Sequence, residues 1–234
     1  EFWRNVISQN IHSLKGPTAE HSTMAACYSF FVSDLIDNPL APLLDNGLSI
    51  SQMSSESYIG GSPMPETSVL SSFLKFIVEN KIELNTDSMQ SDQYTNNGSD
   101  HKWWTTQEIK TICGYTITPT FTTVCKFESL NVEYTLLTIS SDEDTDHHLC
   151  KVHIQNWEDF EGTSVDNLLD LIVWLDQNQL LDKATFHNCK AGRGRSSTFF
   201  ILIELYKQSK TQKLDPLDAI KSILRVKFTR HFEA

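Results

Sequence analysis

The chain has no long apolar run. Its longest, Phe199-Phe200-Ile201-Leu202-Ile203, is ended at once by Glu204, far short of the roughly eighteen residues that a membrane-spanning helix needs. No basic-then-apolar leader opens it, so the expectation is a soluble protein with no stable membrane insertion. Positive charge is scarce as well. Lys and Arg number 19 against 30 Asp and Glu, a formal net charge of −11, and so acidic a chain lacks the basic face that nucleic acid requires. An anionic substrate stays open, because a local concentration of donors can outweigh the global charge. Paired cysteines are missing too. The five, Cys27, Cys113, Cys125, Cys150 and Cys189, are odd in number and form no Cys-x-x-Cys, which favours reduced thiols in a cytosol-like compartment over a disulfide framework. Internal repeats and low-complexity tracts are absent.

What is present suffices for one core. Of 234 residues, 39% are hydrophobic and 10% aromatic, in keeping with a single domain over 1–234. Residues 1–57 read as a helical region, with a helix over 19–36 followed by a Ser-rich surface loop over 46–57. A second polar stretch, 86–100, reads as another loop. Between the two loops, Pro65-Glu66-Thr67 opens a helix that carries Val69, Phe73, Phe76 and Ile77 on one face. From 114 to 154 the residues turn to Thr, Val, Ile, Tyr and Phe, predicting strands over 115–121, 122–127, 132–140 and 149–154. The polar run 142–148 reads as a solvated hairpin connection rather than a metal site. Ser164 caps a helix with Leu168, Leu171, Ile172 and Leu175 inward. A short run 183–187 leads through a loop into an apolar helix from Arg195 to Lys207. Asp215-Pro216 starts a last helix, with Ile220, Ile223 and Leu224 packing inward. Together these predict an α/β (α+β) domain with a central mixed, twisted sheet flanked by helices.

The chemistry concentrates in His187-Asn188-Cys189-Lys190-Ala191-Gly192-Arg193-Gly194-Arg195-Ser196-Ser197. A loop entering a helix N-terminus aims unpaired backbone N–H groups at one spot, where the helix dipole adds positive potential. Gly192 and Gly194 let the backbone curl so that those groups converge into an anion nest formed by residues 190–195, Lys190, Ala191, Gly192, Arg193 and Gly194 among them. A cysteine at the mouth of such a nest is favoured as its thiolate, the nucleophilic form. Arg195, six residues on, can fork two donors onto phosphate oxygens. Nucleophile, oxyanion donors and clamp share one loop.

The same pattern, Cys-x5-Arg followed by Ser with both glycines in place, resembles the signature of protein tyrosine phosphatases, matched here at Cys189, Gly192, Gly194, Arg195 and Ser196. Thirty residues earlier, Asn156-Trp157-Glu158-Asp159-Phe160 resembles that family's mobile acid loop, which implies Asp159 as general acid beside Trp157 and Glu158. The segment from Tyr58 to Thr67, with Gly60-Gly61-Ser62-Pro63-Met64-Pro65-Glu66-Thr67, is similar to the family's Gly-Pro-Leu-Pro-Glu-Thr segment. The likeness covers about 58–225. Its short loops are similar to those of phosphatases that pathogenic bacteria secrete into host cells.

The resemblance implies hydrolysis of phosphotyrosine on a protein or peptide through a cysteinyl-phosphate, with Ser196 stabilising the departing thiolate. No cofactor and no metal are implied, since the nest takes that place. Three departures stand out. Asn188 occupies the usual histidine position before the nucleophile, Glu158 replaces the acid-loop proline, and there is no Asn-Arg-Tyr motif of the kind that lines a phosphotyrosine slot. Counting onward puts Glu233 where the family positions its second-step water. Two other functions remain open: a catalytically weak phospho-binding module, and a phosphoinositide or inositol phosphate phosphatase that uses the charge of Lys190 and Arg193.

Overall fold

The computed structural model describes residues 42–43, 50–63, 67–96, 99–100, 102–104, 106–141, 146–158, 163–211 and positions 215, 219 and 226. The expected helix over 19–36, the helix start at Asp215-Pro216 with its inward Ile220, Ile223 and Leu224, and Glu233 lie largely or wholly outside them.

Among the described residues the strands are β1 (Pro42–Leu43), β2 (Ile50–Ser54), β3 (Ser57–Gly61), β4 (Leu84–Asp87), β5 (Thr95–Asn96), β6 (Ser99–Asp100), β7 (Lys110–Ile112), β8 (Tyr115–Phe127), β9 (Leu130–Ser141), β10 (His147–Ile154) and β11 (Thr185–Cys189). The helices are α1 (Thr67–Glu79), α2 (Val165–Gln177) and α3 (Arg195–Thr211). Nine strands form one sheet in the order β1-β2-β3-β11-β4-β10-β9-β8-β7, and β5 and β6 pair separately. The four central strands β3, β11, β4 and β10 run parallel, while β1 to β3 and β10 to β7 pair antiparallel on either side. The sheet is therefore mixed, with a parallel heart.

Helices cover both faces. Leu70, Phe73, Leu74 and Ile77 recur at the 3.6-residue spacing of one α1 stripe and pack with Tyr58, Phe186, Trp103 and Trp104 on one side of the sheet. On the other side, Leu168, Leu171, Ile172 and Leu175 of α2 meet Leu84, Val152 and Ile154. The α2 start is capped as expected, with the Ser164 hydroxyl accepting from the Asn167 N–H. Helix α3 has no polar stripe facing water along its first turns, because it is wedged between neighbours. Phe199 and Ile203 pack with the α2 cluster, while Phe200, Ile201 and Leu205 meet Ile59. Among the described residues no helix is long and apolar enough to cross a membrane.

Three expectations are corrected. The stretch 46–57, within the region 1–57 read as helical and Ser-rich loop, holds β2 and the start of β3, which pair as a hairpin with a bulge between Gln52 and Ser54. Two of its serines, Ser51 and Ser57, are buried between neighbouring strands. The stretch 86–100 is not one loop: Thr86 and Asp87 complete β4, and a short 3-10 turn covers Ser91–Tyr94. The runs 115–121 and 122–127 form a single strand, β8, whose register shifts between Pro119 and Phe121.

His187, on β11, shows how the parallel heart is filled. Its ring is held edgewise near Phe199 and Phe200, and Nδ1 lies 2.6 Å from the Thr86 hydroxyl. Burial, reinforced by the Lys207 charge, lowers its pKa to about 3. The unfolded chain protonates this ring near 6.5 and the folded one does not, so stability falls as pH drops below about 6.5, by up to ~1.4 kcal/mol per pH unit. Denaturant melts between pH 7 and pH 5 should show that decline, and His187→Gln should flatten it.

Candidate active site

Cys189 is the last residue of β11, at the C-terminal edge of the parallel strands, where open α/β sheets place their ligand crevices. Two neighbouring strands fix its backbone. The Ser62 N–H, just beyond β3, donates to the Cys189 carbonyl at 2.7 Å, and the Ser88 N–H, just beyond β4, donates to the Asn188 carbonyl at 2.8 Å. The side chain is only 3% exposed. Because strand residues alternate faces, Cys189 and His187 face the α2–α3 side, while Asn188 faces the α1 side.

Residues 190–194 then turn back over the start of α3. Gly192 has φ of 68°, in the left-handed region that side chains with a Cβ populate at a cost of roughly 1–2 kcal/mol. The loop also sits against β3: a Cβ on Gly61 would lie 3.3 Å from the Lys190 carbonyl. Lys190, Ala191, Arg193 and Gly194 are exposed around the mouth, and Gly192 is buried. Helix α3 begins at Arg195 itself, so its first amides point into the loop. Ser196, in that first turn, brings Oγ to 3.4 Å from Cys189 Sγ.

Arg195 is 4% exposed, and its guanidinium reaches two separate segments. Nη1 donates to the Trp157 carbonyl at 2.8 Å, and Nη2 donates to Gln93 Oε1 at 3.0 Å. The clamp thus joins the phosphate-type loop to the segment that follows β10. Trp157 is buried in the α2 cluster and Glu158 is exposed. Asp159 lies outside the described residues, as does most of the polar run 142–148. Among the described residues no group of three His, Cys, Asp or Glu side chains is arranged to hold a metal ion.

The structure thus brings Cys189, Arg195, Ser196 and Trp157 together. It adds partners that motif reading passes over. Gln93 sits in a polar stretch with no distinguishing pattern, and only its bond to Arg195 marks it. Asn188, the departure from the usual histidine, is fully engaged: its Nδ2 donates to Ser62 Oγ at 2.6 Å and its Oδ1 accepts from Asn85 Nδ2 at 2.7 Å.

A buried thiol at a strand end, a tight turn with a left-handed glycine and a guanidinium on the first turn of the next helix meet at one point. The family model for protein-tyrosine phosphatases matches residues 46–231, and the chain belongs to that family; its enzyme class is protein-tyrosine phosphatase. Solved structures agree in fold. PTPN18, described with distinct HER2 tyrosine phosphorylation sites, superposes with a TM-score of 0.65 at 14% identity, covering 98% of this chain and 96% of its own. The Trypanosoma cruzi protein tyrosine phosphatase TcPTP1 gives 0.61 at 14% identity, covering 93% of each chain. TbPTP1 of Trypanosoma brucei gives 0.59 at 15%, covering 76% of this chain and 67% of its own. At these identities the likeness is one of fold. No curated protein sequence matches the chain.

The left-handed Gly192 yields a direct expectation. Gly192→Ala should lower stability by about 1–2 kcal/mol, or roughly 2–8 °C in melting temperature for a domain of this size, and weaken inhibition by vanadate, a phosphate mimic. A thermal melt and an inhibition curve on the same sample measure both.

Proposed function

We propose that this domain hydrolyses phosphotyrosine on proteins or peptides through a cysteinyl-phosphate formed on Cys189. The observation that carries the proposal is the convergence of Cys189 Sγ, Ser196 Oγ and the Arg195 guanidinium at one strand-to-helix turn. In the first step the thiolate attacks phosphorus: an S–P bond forms, the P–O bond to the aryl group breaks, and Asp159 protonates the departing phenolate. Backbone N–H groups of residues 190–195 and the Arg195 fork hold the equatorial oxygens, where charge builds up. In the second step water attacks phosphorus, giving its proton to Asp159. An O–P bond forms, the S–P bond breaks, and the Ser196 hydroxyl donates to the returning thiolate. The bond from Arg195 to the Trp157 carbonyl supports this assignment of Asp159, since it ties the clamp to the segment two residues before the acid.

One observation favours a second substrate class. Lys190 and Arg193 both stand exposed at the mouth, where they would meet the extra phosphates of an inositol phosphate or phosphoinositide. A phospho-binding module without turnover would use the same groups and stop before the first bond breaks. The resemblance to secreted bacterial phosphatases extends the proposal to an effector acting on host phosphoproteins inside a reducing cytosol, which a translocation assay in infected cells would test.

Wild type should turn over an aryl phosphate, and Cys189→Ser should lose at least about a thousandfold in kcat. Tight phosphopeptide binding by wild type with no phosphate release would instead indicate the binding module. Asp159→Ala should slow substrates with poor leaving groups much more than those with good ones, because only the former need the proton. An equal loss for both would exclude it as the acid. A panel of phosphotyrosine peptide and inositol phosphates at matched ionic strength separates the two substrate classes.

A further inference from the structure

Beneath the nucleophile, on the opposite face of the sheet, six buried side chains close a ring of hydrogen bonds. Lys151 Nζ of β10 donates to Asp87 Oδ2 and to Asn85 Oδ1 of β4, each at 2.7 Å. Asn85 Nδ2 donates to Asn188 Oδ1 at 2.7 Å, and Asn188 Nδ2 donates to Ser62 Oγ at 2.6 Å. Ser62 Oγ lies 2.7 Å from the Tyr94 hydroxyl, which donates to Asp87 Oδ2. The polarity of the ring follows. Lysine has only donors and the carboxylate only acceptors, so Lys151 starts both paths and Asp87 ends both. With the Asn188 amide committed to Ser62 and the Tyr94 O–H to Asp87, the Ser62 hydroxyl donates to Tyr94. Every group in the long path is left with a single role.

The ion pair that drives the ring is 0% exposed at both ends. Such a pair is costly to place unless its other valences are filled, and here they are. Lys151 Nζ also lies over the Trp104 ring at 4.1 Å and the Trp103 ring at 5.1 Å, and Asp87 Oδ1 accepts the Met89 N–H.

We infer that this ring is the positioning device for Cys189, with Ser62, Tyr94, Asn85, Asp87 and Lys151 acting through Asn188 in place of the histidine usual before the nucleophile. Two links reach the nucleophile directly. Asn188 precedes Cys189 in the chain, and Ser62 joins the ring through its hydroxyl while its N–H holds the Cys189 carbonyl. The ring also ties all four parallel strands together, reaching the C-terminal ends of β3, β4 and β11, so a break anywhere along it loosens the thiolate rather than the anion nest beyond it. The inference rests on the reading of Cys189 as nucleophile.

The test uses Ser62→Ala and Tyr94→Phe, which each delete one hydroxyl and leave the ion pair intact, together with the double variant. Each is assayed about 15 °C below its own melting temperature. Each single variant should lower kcat about tenfold with KM changed less than about twofold, and slow alkylation of Cys189 by iodoacetamide in parallel. The double variant should lose no more than the worse single, because one broken link already opens the ring. Folded single variants with wild-type kcat, a rise in KM alone, or a double-variant loss equal to the product of the singles would each overturn the inference. A Cys189→Ser control keeps the two readings apart. If it is inactive beside fully active ring variants, only the ring fails; if it is active, the nucleophile assignment itself fails.

Discussion

The contact between Lys151 and Asp87 sets the terms for the sheet edge that holds Cys189. An ammonium and a carboxylate 2.7 Å apart with no exposed surface are tolerable only where their remaining valences are met, and the surroundings are arranged to meet them. Burial draws the Lys151 pKa below its ordinary value and the Asp87 charge opposes that pull; for Asp87, burial acts upward, but the Lys151 and His153 charges with the Lys151 and Tyr94 donors outweigh it and leave the carboxyl below its usual range. The pair is an ammonium and a carboxylate. From that follow the tryptophan faces over Lys151, the asparagines on β4 and β11, and the tyrosine buried between Ser62 and Asp87, whose own hydroxyl is held protonated by burial and by the carboxylate beside it.

The two faces of the sheet divide the labour. The α2–α3 face carries the groups to which the proposed mechanism assigns the reaction, with Cys189 pointing toward the start of α3 and Arg195 bridging to Trp157. The α1 face carries the support, through Asn188 and its ring. Adjacent residues on one strand serve both, because side chains alternate. His187 returns to the reacting face, but as filling: it is buried against Phe199 and Phe200 and kept neutral. The histidine next to the site is therefore packing, and in the inferred ring it is the asparagine between it and the cysteine that takes the orienting part.

Much of this was legible in the sequence where local pattern and tertiary role coincide. Ser164 and the Leu168-to-Leu175 stripe announce α2, the β-branched runs announce β8 to β10, and the two glycines with Arg195 and Ser196 announce the turn after β11. What escaped had its cause at long range. Asn85 and Asp87 look like loop residues, and they lie in a buried strand because Lys151, 64 residues from Asp87 in sequence, supplies the opposite charge. The hairpin of β2 and β3 escaped likewise, since its strand character comes from pairing of the two with each other and of β3 with β11 rather than from composition. Gln93 carries no signature of its own and is defined by the guanidinium that finds it.

The irregular strand β8 has a further consequence. Its first three residues pair with β7, and past them the register slips between Pro119 and Phe121, just beyond a proline that has no N–H to offer. Phe121 and Val124 lie exposed along the remainder, where among the described residues no strand pairs on the far side of β8, the sort of margin on which a neighbouring molecule adds a strand. A proline and a bulge at the head of that margin twist it and break its hydrogen-bonding rhythm. The same irregularity that joins two expected strands into one also makes that margin a poorer template for a strand from another molecule.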